Sequence, residues 1–581
     1  MKEIWKANNE VAFLYTPDPF FVRAIAQHFK ITDITARIIA NREMKTLQEV
    51  TAYLHPSLKN IPDPFLFRDM TKITKRIFKA IKKQEMILIY GDYDVDGITS
   101  AALLFKFFQH IACPAKFYIP DRFVDGYGLN LERLMKIRED FPYNLLITVD
   151  CGIANEEIIH KLSRYGIDTI VTDHHRVDTK PMSAFGVLNP SIPECPFPFK
   201  ELAGVGVVFF LLIGLRKYLR DRNFWNDQKH SEPDLRRFLD IVSLGTIADM
   251  VPLKGINRIL TKYGLNLLPN TSHTGLRNLL NYLNLNAKKD ISPWEVSFQI
   301  APRLNAAGRI EKGNLGITLL VSSDEHETHL IASKLEALNR ERQRIERNLI
   351  ETAINAIRKG NAFMSPYAIV LWGEKWHEGV IGIVASKLVE RYARPVALIS
   401  LQGEVGKGSL RGVHGLNVFE ALKKSKDWLL SFGGHQMAGG ITIERKKLTR
   451  FAHAFSEAIK SQSPHSLPAR QWYVDAMING SGALPSKFFS ELRLLEPFGF
   501  GNSPPLIGFS EFQVLSKRLM QNKHIRFTFR LGKGSPLQAI AFNAKEYFND
   551  LEKIEIFLGI PTINRWNGHE SPQIIIRKFL N

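Results

Sequence analysis

The sequence predicts a multi-domain α/β protein with a parallel-sheet domain, a long connecting helix, a second α/β domain and a C-terminal β-barrel. The chain has 581 residues, which is too long for a single hydrophobic core. Short apolar segments alternate with helical patterns between residues 85 and 173, and the alternation resumes after a long charged segment. The last part of the chain has short strand-like segments separated by turns, which is typical of a small barrel.

The first α/β domain is predicted from the order of its strands and helices. The segments MILIY, LLITV and DTIV are strand-like, and SAALLFKFFQHI and NEEIIHKLSRYG between them have helical patterns. Such alternation indicates βαβ units around a parallel sheet. The functional residues of these sheets gather where strands end and loops begin, so a site is expected at that edge.

The charged segment ETHLIASKLEALNRERQRIERNLIETAINAIRKG is predicted to form one long helix that connects two domains. Its apolar residues recur at helical spacing and are Ile331, Leu335, Leu338, Ile345, Leu349 and Ile354. The pattern of strand, loop, helix and strand in YAIVLWGEKWHEGVIGIVASKLVERYARPVALIS then predicts the second α/β domain. SQSPHSLPAR after it has the composition of a linker.

These patterns divide the chain into five parts. We expect an N-terminal segment (residues 1–70) packed on the first domain, followed by the first α/β domain (71–322) and the connecting helix (323–360). The second α/β domain (361–461) and the barrel (462–581) complete the chain. In the last part, Phe527, Phe529 and Trp566 alternate with basic residues, as in a barrel that binds nucleic acid. Phenylalanine at alternating positions is more often core, so these rings stay open to both interpretations.

The composition favours a polyanionic partner. The chain has 77 basic and 58 acidic residues, which gives a formal net charge of +19. Nucleic acid fits this charge better than a membrane does, because no basic amphipathic anchor is evident, while a generally basic proteome is the alternative. Cys113, Cys151 and Cys195 are scattered without metal-type pairing, and no apolar run reaches the roughly 18 residues of a membrane span. We therefore expect a cytoplasmic protein.

Acidic and imidazole side chains follow the apolar segments of the first domain. They are Asp92, Asp94 and Asp96 in GDYDVDG, Asp150 in VDCG, Asp173, His174 and His175 in TDHH, and Asp249 in SLGTIADMVPL. Neighbouring strands would bring the carboxylates together, where their repulsion requires cations. A single aspartate could be a helix cap or turn residue, but four such positions favour a metal site. Carboxylate and imidazole without thiolate suit Mn²⁺ or Mg²⁺, and two bridged ions would activate water for attack on phosphorus.

These four motifs, in this order, resemble those of the DHH phosphoesterase superfamily. Within it the chain is similar to the RecJ family of single-strand-specific exonucleases, in the segments YLHPSLKNIPDPFLFRDM, IPDRFVDGYGLN, ELAGVGVVFF, APRLNAAGRI and FGGHQMAGG. The similarity runs from about residue 45 to the end of the sequence. It implies a DHH domain, a DHH-associated domain and an OB-like barrel.

The resemblance implies a two-metal site with named ligands. Asp94 and Asp150 would hold one ion, and the other would be held by Asp96, Asp150, His174 and Asp249. The catalytic group would include His175 near the scissile phosphate, with Asp92 and Asp173 as orienting carboxylates. Many superfamily members have histidine four residues before the equivalent of Asp94. This chain has Tyr90 there, which is a poor metal ligand.

The resemblance also implies two groups of substrate-binding residues. Arg303, Asn305 and Arg309 would lie along the nucleic-acid path, and Ser409, Arg411 and His435 would hold the terminal 5′ nucleotide. Arginine suits a phosphate because its planar guanidinium donates two hydrogen bonds at once.

The implied function is a metal-dependent 5′→3′ exonuclease that hydrolyses single-stranded DNA to nucleoside 5′-monophosphates in DNA repair and recombination. Two divalent cations, Mn²⁺ or Mg²⁺, would be its cofactors. A helicase and a single-strand-binding protein would be its partners, with no membrane, and a monomer would suffice. Two other hypotheses stay open, a phosphoesterase of small substrates and a binding module without catalysis. The net charge of +19 argues against the first, and the intact set of metal ligands argues against the second.

Overall fold

The computed structural model describes residues 1–7, 10–121, 124–126, 128–177, 181–193, 195–226, 231–310, 314–480, 482, 484–566 and 569–580. Of residues 565, 566 and 569, only the backbone is described. This part of the chain forms four β-sheets with three, five, six and seven strands. The architecture confirms the predicted α/β class with its long connecting helix.

The N-terminal segment contains two strands and three helices. They are β1 (Lys2–Ala7), β2 (Glu10–Leu14), α1 (Pro19–Phe29), α2 (Asp33–Ala40) and α3 (Leu47–Leu54). Each helix begins at a side chain that accepts a hydrogen bond from the first turn, namely Asp18, Thr32 and Thr46. The two strands pair in antiparallel fashion and join a strand from the C-terminal part.

The first α/β domain is built on a parallel five-stranded sheet. Its strands are β3 (Ile87–Gly91), β4 (Ala115–Tyr118), β5 (Leu145–Val149), β6 (Asp168–Thr172) and β7 (Gly186–Leu188), in the spatial order β4, β3, β5, β6, β7. Strands β3 and β5 are buried at every residue, as expected for a sheet covered on both faces. The strands predicted from MILIY, LLITV and DTIV are β3, β5 and β6, so that prediction is confirmed.

Helices pack around this sheet and form one large core with it. They are α4 (Met70–Lys83), α5 (Val95–His110), α6 (Leu131–Asp140), α7 (Glu156–Arg164), α8 (Gly204–Arg220), α9 (Leu239–Ala248), α10 (Gly255–Leu267), α11 (Thr274–Tyr282), α12 (Pro293–Glu295), α13 (Ala301–Ile310) and α14 (Leu315–Val321). A π-helical stretch, Val296–Ile300, joins α12 to α13. The two helices predicted between the first strands are α5 and α7.

The charged segment forms the single helix α15 (Glu325–Arg358), which is about 50 Å long at 1.5 Å per residue. Its buried residues include Leu335 and Leu349 of the predicted apolar set. Among the described residues, no helix combines the length and the apolar composition that crossing a bilayer requires.

The second α/β domain has a six-stranded mixed sheet. Its elements are β8 (Phe363–Met364), β9 (Ile369–Glu374), α16 (Glu378–Tyr392), β10 (Val396–Gln402), β11 (Val405–Arg411), α17 (Val418–Lys424), β12 (Ser431–His435), β13 (Ala438–Glu444) and α18 (Leu448–Lys460). The spatial order is β12, β13, β11, β10, β9, β8, and only the pairing of β9 with β10 is parallel among these described strands.

The C-terminal part forms a partial barrel. Its elements are β14 (Arg470–Val474), β15 (Ala476–Ile478), α19 (Ser486–Leu495), β16 (Ile507–Ser510), β17 (Phe512–Met520), β18 (His524–Leu531), β19 (Leu537–Ala541), β20 (Ile556–Trp566) and β21 (His569–Leu580). Strand β14 pairs with β2, and the other strands follow the order β15, β16, β20, β21, β19, β18, β17. The edge strands β15 and β17 do not pair with each other in the described residues, so the predicted barrel is open on one side.

The N-terminal segment divides its contacts between two parts of the molecule. Ile25, Ile38 and Leu54 share a hydrophobic core with Phe488 and the other apolar residues of the partial barrel. Phe67, by contrast, packs into the core of the first α/β domain. The expectation placed all of residues 1–70 on the first domain, and the structure corrects this for α1, α2 and α3. The reason is physical, because these helices cover apolar side chains that an open sheet would leave in water.

Candidate metal centre

The predicted metal ligands meet at the carboxyl edge of the five-stranded sheet. Asp92, Asp150 and Asp173 directly follow β3, β5 and β6. Asp249 arrives from a different element, since the apolar stretch before it is the buried helix α9. The strand ends and the end of this helix therefore bring all of the acidic motifs to one place.

Their ligand atoms form three overlapping groups. The members are Asp92, Asp94 and Asp150 in one group, Asp96, His174 and Asp249 in the second, and Asp150, His174 and His175 in the third, with the ligand atoms of each group within 4.8 Å of one another. Nε2 of His174 lies 3.2 Å from Oδ1 of Asp150 and 3.5 Å from Oδ2 of Asp249. Asp92 thus reaches the ligand cluster itself, where the resemblance implied mainly an orienting or auxiliary-ligand role for it.

Asp94 and Asp96 are held by the helix termini beside them. Oδ1 of Asp94 accepts hydrogen bonds from the backbone N–H of Asp96 and Gly97 at 2.9 and 3.1 Å, so Asp94 caps α5. The carboxylate of Asp96 accepts from the backbone N–H of Gly204 at 2.6 Å and of Val205 at 2.8 Å, at the start of α8. These donors stabilise the negative charge and fix its direction.

Asp150 occupies a strained backbone position. Its φ is +59°, in the left-handed region that non-glycine residues seldom adopt, and its backbone N–H donates to the carbonyl of Thr172 at 2.9 Å. The side chain is almost fully buried. Strain of this kind collects at functional sites, where the surrounding structure holds it in place. The position directs the Asp150 carboxylate into the centre of the cluster.

Glycines keep this edge open for close approach. A Cβ at Gly97 would lie 2.4 Å from the carbonyl oxygen of Asp92, and one at Gly204 would lie 2.8 Å from Oδ1 of Asp150. Gly97 is therefore needed for space in the first turn of α5.

The two histidines have opposite electrostatics. Burial and the neighbouring His175 lower the pKa of His174 to about 4, so its ring is neutral at pH 7. Burial alone would lower the pKa of His175, but its 2.7 Å hydrogen bond to Asp173 and the charge of that carboxylate raise the pKa to about 9. His174 is thus in the form that binds metal, and His175 is a cation.

The carboxylates repel one another strongly. Burial and the charge of Asp94 raise the pKa of Asp92 to about 8 and that of Asp96 to about 7. Burial and the charges of Asp96 and Asp94 raise the pKa of Asp249 to about 9. Only nearby positive charge would let all of these groups ionise at neutral pH.

The cluster fits divalent cations. Oδ1 of Asp150 and Nε2 of His174 are buried, and neither has a hydrogen-bond partner among the described residues. Buried polar atoms without partners are costly, and a cation between these two atoms would satisfy both. An oxygen-rich set with imidazole and no thiolate suits Mn²⁺ or Mg²⁺.

Tyr90 takes no part in the ligand cluster. Its buried hydroxyl donates a 3.0 Å hydrogen bond to the carbonyl of Gly128, and its ring packs near Tyr118. Tyr90 therefore ties β3 to the loop that precedes α6, instead of facing the metal ligands.

The predicted substrate residues on α13 have two different environments. Nε of Arg303 is 2.8 Å from Glu336 on α15, which also pairs with Arg340. Asn305 is half-buried on the same helix. Arg309 donates from Nη1 to the carbonyl of Gly379 at the start of α16, at 3.2 Å. Arg309 thus lies at the junction of the two α/β domains, while Arg303 is engaged with the connecting helix.

Ser409, Arg411 and His435 lie near one another on the second sheet. Arg411 donates from Nη1 to Oγ of Ser409 at 3.0 Å, and Arg411 and His435 are each cross-strand partners of Ala438. A Cβ at Gly382 on α16 would lie 2.9 Å from both Ser409 Oγ and Arg411 Nη2. Helix α16 therefore links this group to Arg309.

The aromatic residues of the partial barrel are mostly core. Phe527 and Phe529 are buried in the cluster shared with the N-terminal helices, which decides between the two interpretations for these rings. The side chain of Trp566 lies outside the described residues.

Comparison with known proteins identifies three segments of the chain. Residues 86–246 match the DHH family, N-terminal domain, residues 365–461 match the DHHA1 domain, and residues 474–578 match the RecJ OB domain. These segments are the parallel-sheet domain, the second α/β domain and the partial barrel.

Two relatives and one solved structure extend the similarity to nearly the whole chain. The single-stranded-DNA-specific exonuclease RecJ of Bacillus subtilis is 34% identical over 97% of this chain and 70% of that protein. The protein of the same name from Escherichia coli is 32% identical over 94% of this chain and 96% of that protein. The crystal structure of RecJ in complex with Mn²⁺ from Thermus thermophilus has a TM-score of 0.81 and 28% identity, covering 98% of this chain and 79% of that chain. The chain therefore belongs to the RecJ family.

Proposed function

We propose that the protein is a 5′→3′ exonuclease that hydrolyses single-stranded DNA to nucleoside 5′-monophosphates and requires two divalent cations, Mn²⁺ or Mg²⁺. The observation that carries the proposal is the position of Asp150, which belongs to two of the three groups of ligand atoms. One carboxylate shared in this way can bridge two ions. The family membership supports the substrate, since the relatives are named for their action on single-stranded DNA.

The ligand roles follow from the grouping of side chains. We assign Asp92, Asp94 and Asp150 to one ion, and Asp96, Asp150, His174 and Asp249 to the other. When bound, the two cations supply a water nucleophile and neutralise the phosphate oxygens. Hydrolysis would join the oxygen of a water to phosphorus and break the bond from phosphorus to the 3′ oxygen of the terminal nucleotide, and that 3′ oxygen would take up a proton as the water loses one. The terminal nucleotide leaves, and the shortened strand keeps a new 5′ phosphate.

His175 stabilises the charge that develops on the phosphate. Its ring is half-buried beside the ligand cluster, and the 2.7 Å hydrogen bond of its Nδ1 to Asp173 helps to raise its pKa to about 9 in the metal-free site. Asp173 accepts hydrogen bonds from the backbone N–H of Ile153 and His174 as well, so its own position is fixed. A fixed cation beside the reacting phosphate lowers the barrier without reorganising during the reaction.

The polarity of the reaction follows from the residues beyond the metal centre. Gly308 lies against Tyr93 in the metal-binding loop, Arg309 contacts the start of α16, and Gly382 on that helix lies against Ser409 and Arg411. We assign Ser409, Arg411 and His435 to the terminal 5′ phosphate and Arg309 to the next one. Arg303 and Asn305 would contact the strand as it approaches the centre.

The domain assignment is part of the same proposal. Residues 71–322 carry catalysis, residues 361–461 hold the 5′ end, and residues 462–581 hold the incoming strand, with residues 323–360 as the connection. We further propose that the protein acts in the cytoplasm as a monomer. Its partners there would be a helicase and a single-strand-binding protein, in repair and recombination. The net charge of +19 supports a strand held through phosphate contacts.

The proposal is tested with a single-stranded oligonucleotide labelled at its 5′ or its 3′ end. We expect release of a labelled mononucleotide from the 5′ end at once with Mn²⁺ or Mg²⁺, and no release with EDTA or in Asp150→Ala. The control variant is Asp140→Asn, because Asp140 is exposed at the end of α6, on the side of the sheet opposite the metal centre. Binding without cleavage under every metal condition would contradict the proposal, as would first release from the 3′ end.

A further inference from the structure

Two large apolar side chains are exposed at the edge of the metal centre. Met250 and Phe500 expose 65% and 57% of their surfaces, although both lie in segments that are otherwise packed. Met250 directly follows the metal ligand Asp249, and Phe500 comes from the partial barrel. Neither residue has a role in the site described above.

The turn that carries Phe500 is fixed to the segment after Asp249. The backbone N–H of Leu253 donates to the carbonyl of Phe500 at 2.8 Å, and Gly499 and Asn502 pair across the turn. A Cβ at Gly499 would lie 2.6 Å from Leu253, and one at Gly501 would lie 2.7 Å from Pro252. The backbone of this turn is therefore pressed against residues 252 and 253, which leaves the Phe500 ring facing outward.

Both residues are linked closely to Asp249, Met250 by the chain and Phe500 by its backbone hydrogen bond to Leu253. Leu253 is four residues from Asp249, so their Cα atoms are at most about 15 Å apart at 3.8 Å per residue. Met250 is closer still. Its φ of +59°, which is unusual for a residue with a side chain, holds it in the sharp turn after α9.

Basic residues stand beside this pair. Arg42 donates from Nη2 to the carbonyl of Ser503 at 2.6 Å, next to the turn of Phe500. Lys254 follows the Met250 segment and lies 3.8 Å from Glu43. An exposed ring with neighbouring cations is the arrangement that binds single-stranded nucleic acid, through base stacking and phosphate contacts.

We infer that Phe500 and Met250 form a platform for a DNA base next to the scissile phosphate, so that the partial barrel supplies part of the active site. The inference rests on the proposed function for the identity of the strand. A base is the occupant that the position favours, because Met250 directly follows a metal ligand and the turn of Phe500 is hydrogen-bonded to the chain four residues after that ligand. Stacking on a ring tolerates every base, which suits an enzyme that degrades any sequence.

The test places 2-aminopurine at each of the first four nucleotides of a single strand whose 3′ bridging oxygens are replaced by methylene groups. This strand cannot be cleaved, so its fluorescence is followed with Mg²⁺ present. We expect quenching at one position with the wild-type protein and loss of that quenching in Phe500→Ala and Phe500→Leu. Phe500→Trp should restore it. Affinity for the strand should fall about 5- to 100-fold in Phe500→Ala, the usual effect of removing one stacking ring, and less in Met250→Ala.

Matched controls come from the opposite edge of the five-stranded sheet. Tyr165, after α7, is 53% exposed, and Met182, before β7, is 80% exposed. Tyr165→Ala and Met182→Ala should bind and quench as the wild type does. A second measurement compares the rate of 5′ nucleotide release from a normal strand and from one that lacks the stacked base. The wild type should be slower on the strand without the base, and Phe500→Ala should be equally slow on both.

Unchanged quenching and affinity in Phe500→Ala would overturn the inference. So would a full response of Phe500→Ala to the missing base, because the ring would then not contact it. Loss of binding to another protein, with DNA binding intact, would assign the platform to a protein partner instead. Failure of the wild type to release nucleotides would count against the proposed function alone, since the fluorescence measurement does not depend on cleavage.

Discussion

At the scale of single residues, the acidic side chains of the metal centre combine two functions that the sequence could not separate. Asp94 caps a helix and also belongs to the ligand cluster. Asp96 accepts two hydrogen bonds from the start of α8 and lies 3.9 Å from His174. Helix capping and metal binding are therefore not alternatives for Asp94. Its capping hydrogen bonds hold the carboxylate in the direction that metal binding requires.

Asp249 allows a test of the electrostatics of the cluster. Without metal, burial and neighbouring carboxylates raise its pKa to about 9, against about 3.9 in an unfolded chain. The folded state holds this proton more tightly, so the contribution of Asp249 to stability is greatest below about pH 4 and falls as the pH rises toward 9. Asparagine has no such proton, so we expect the free energy of unfolding of metal-free Asp249→Asn, relative to that of the wild type, to rise by about 1–3 kcal/mol from pH 6 to pH 8. Urea unfolding in EDTA at the two pH values measures the difference.

Excess Mn²⁺ should reverse this order, because the wild-type carboxylate then binds a cation and asparagine is a weaker ligand. The control is Asp140→Asn, at an exposed carboxylate, which should respond to Mn²⁺ as the wild type does. If Asp249→Asn and the wild type had the same pH dependence in EDTA, Asp249 would not interact with the other carboxylates.

At the scale of elements, the start of α8 is the support of the metal centre. The helix begins at Gly204, whose backbone N–H binds Asp96 and whose missing side chain leaves room for Asp150. A methyl group there would lie 2.8 Å from the Asp150 carboxylate. One residue thus sets the positions of two ligands that follow different strands.

Gly204→Ala should therefore impair metal binding far more than it affects folding. We expect Mn²⁺ affinity and the rate of nucleotide release to fall by at least about 10-fold, the range seen when supporting residues of a metal site are changed. The control is Gly206→Ala on the same helix, where a Cβ would be 3.2 Å from the flexible end of Leu202 and should have little effect. Isothermal titration with Mn²⁺ and circular dichroism separate the two effects. Equal affinities in the two variants would contradict this role of Gly204.

The sequence predicted the strands and helices better than it predicted the contacts that hold the metal ligands in place. The strands β3, β5 and β6 were evident because their apolar runs are continuous and end in aspartate. The contact of Gly204 with Asp96 joins residues 108 positions apart, and no local pattern encodes it. The segment ELAGVGVVFF was singled out only by its resemblance to a family. Asp249 was expected at a strand end like the other acidic motifs, but it follows helix α9, because a short, fully apolar run is compatible with strand or helix.

At the scale of the whole molecule, three separate parts of the chain meet at one buried arginine. Arg258 on α10 donates from Nε to the carbonyl of Tyr53, and from Nη1 and Nη2 to those of Leu495 and Leu494, at 2.9–3.1 Å. Its guanidinium also lies 3.9 Å from the centre of the Tyr53 ring. The first α/β domain, the N-terminal segment and the partial barrel are joined there.

Little in the sequence indicates this junction. A basic residue in NRIL is ordinarily on the surface, and burial of Arg258 is decided by carbonyl groups at the ends of α3 and α19. The packing of α1, α2 and α3 on the partial barrel is of the same kind. The amphipathic faces of these helices predict that they pack on another part of the molecule. They do not predict that this part is the partial barrel, which lies more than 400 residues away in the sequence.

The junction also supports the turn that carries Phe500. The hydroxyl of Tyr53 donates to Oδ1 of Asn502 at 3.0 Å, and Asn502 donates from Nδ2 to the carbonyl of Leu495 at 2.9 Å. Asn502 is itself the partner of Gly499 across that turn. A change at Arg258 should therefore reach the edge of the metal centre through the carbonyl of Leu495, which accepts hydrogen bonds from both Arg258 and Asn502.

Arg258→Met should weaken the packing of the first α/β domain against the N-terminal segment and the partial barrel, while the metal ligands stay in place. It removes the side-chain donor of the Tyr53 and Leu494 carbonyls and one of the donors of the Leu495 carbonyl, which we expect to cost about 2–4 kcal/mol in the free energy of unfolding. Hydrogen exchange should rise in residues 494–502 and 250–253, and Mn²⁺ affinity should stay within about twofold, because no ligand contacts Arg258. The control is Arg236→Met, at a guanidinium that is 74% exposed, where the change should stay within about 0.5 kcal/mol. Faster exchange throughout the five-stranded sheet, or unchanged exchange at 494–502, would contradict the role of Arg258 as the link between the barrel and the catalytic domain.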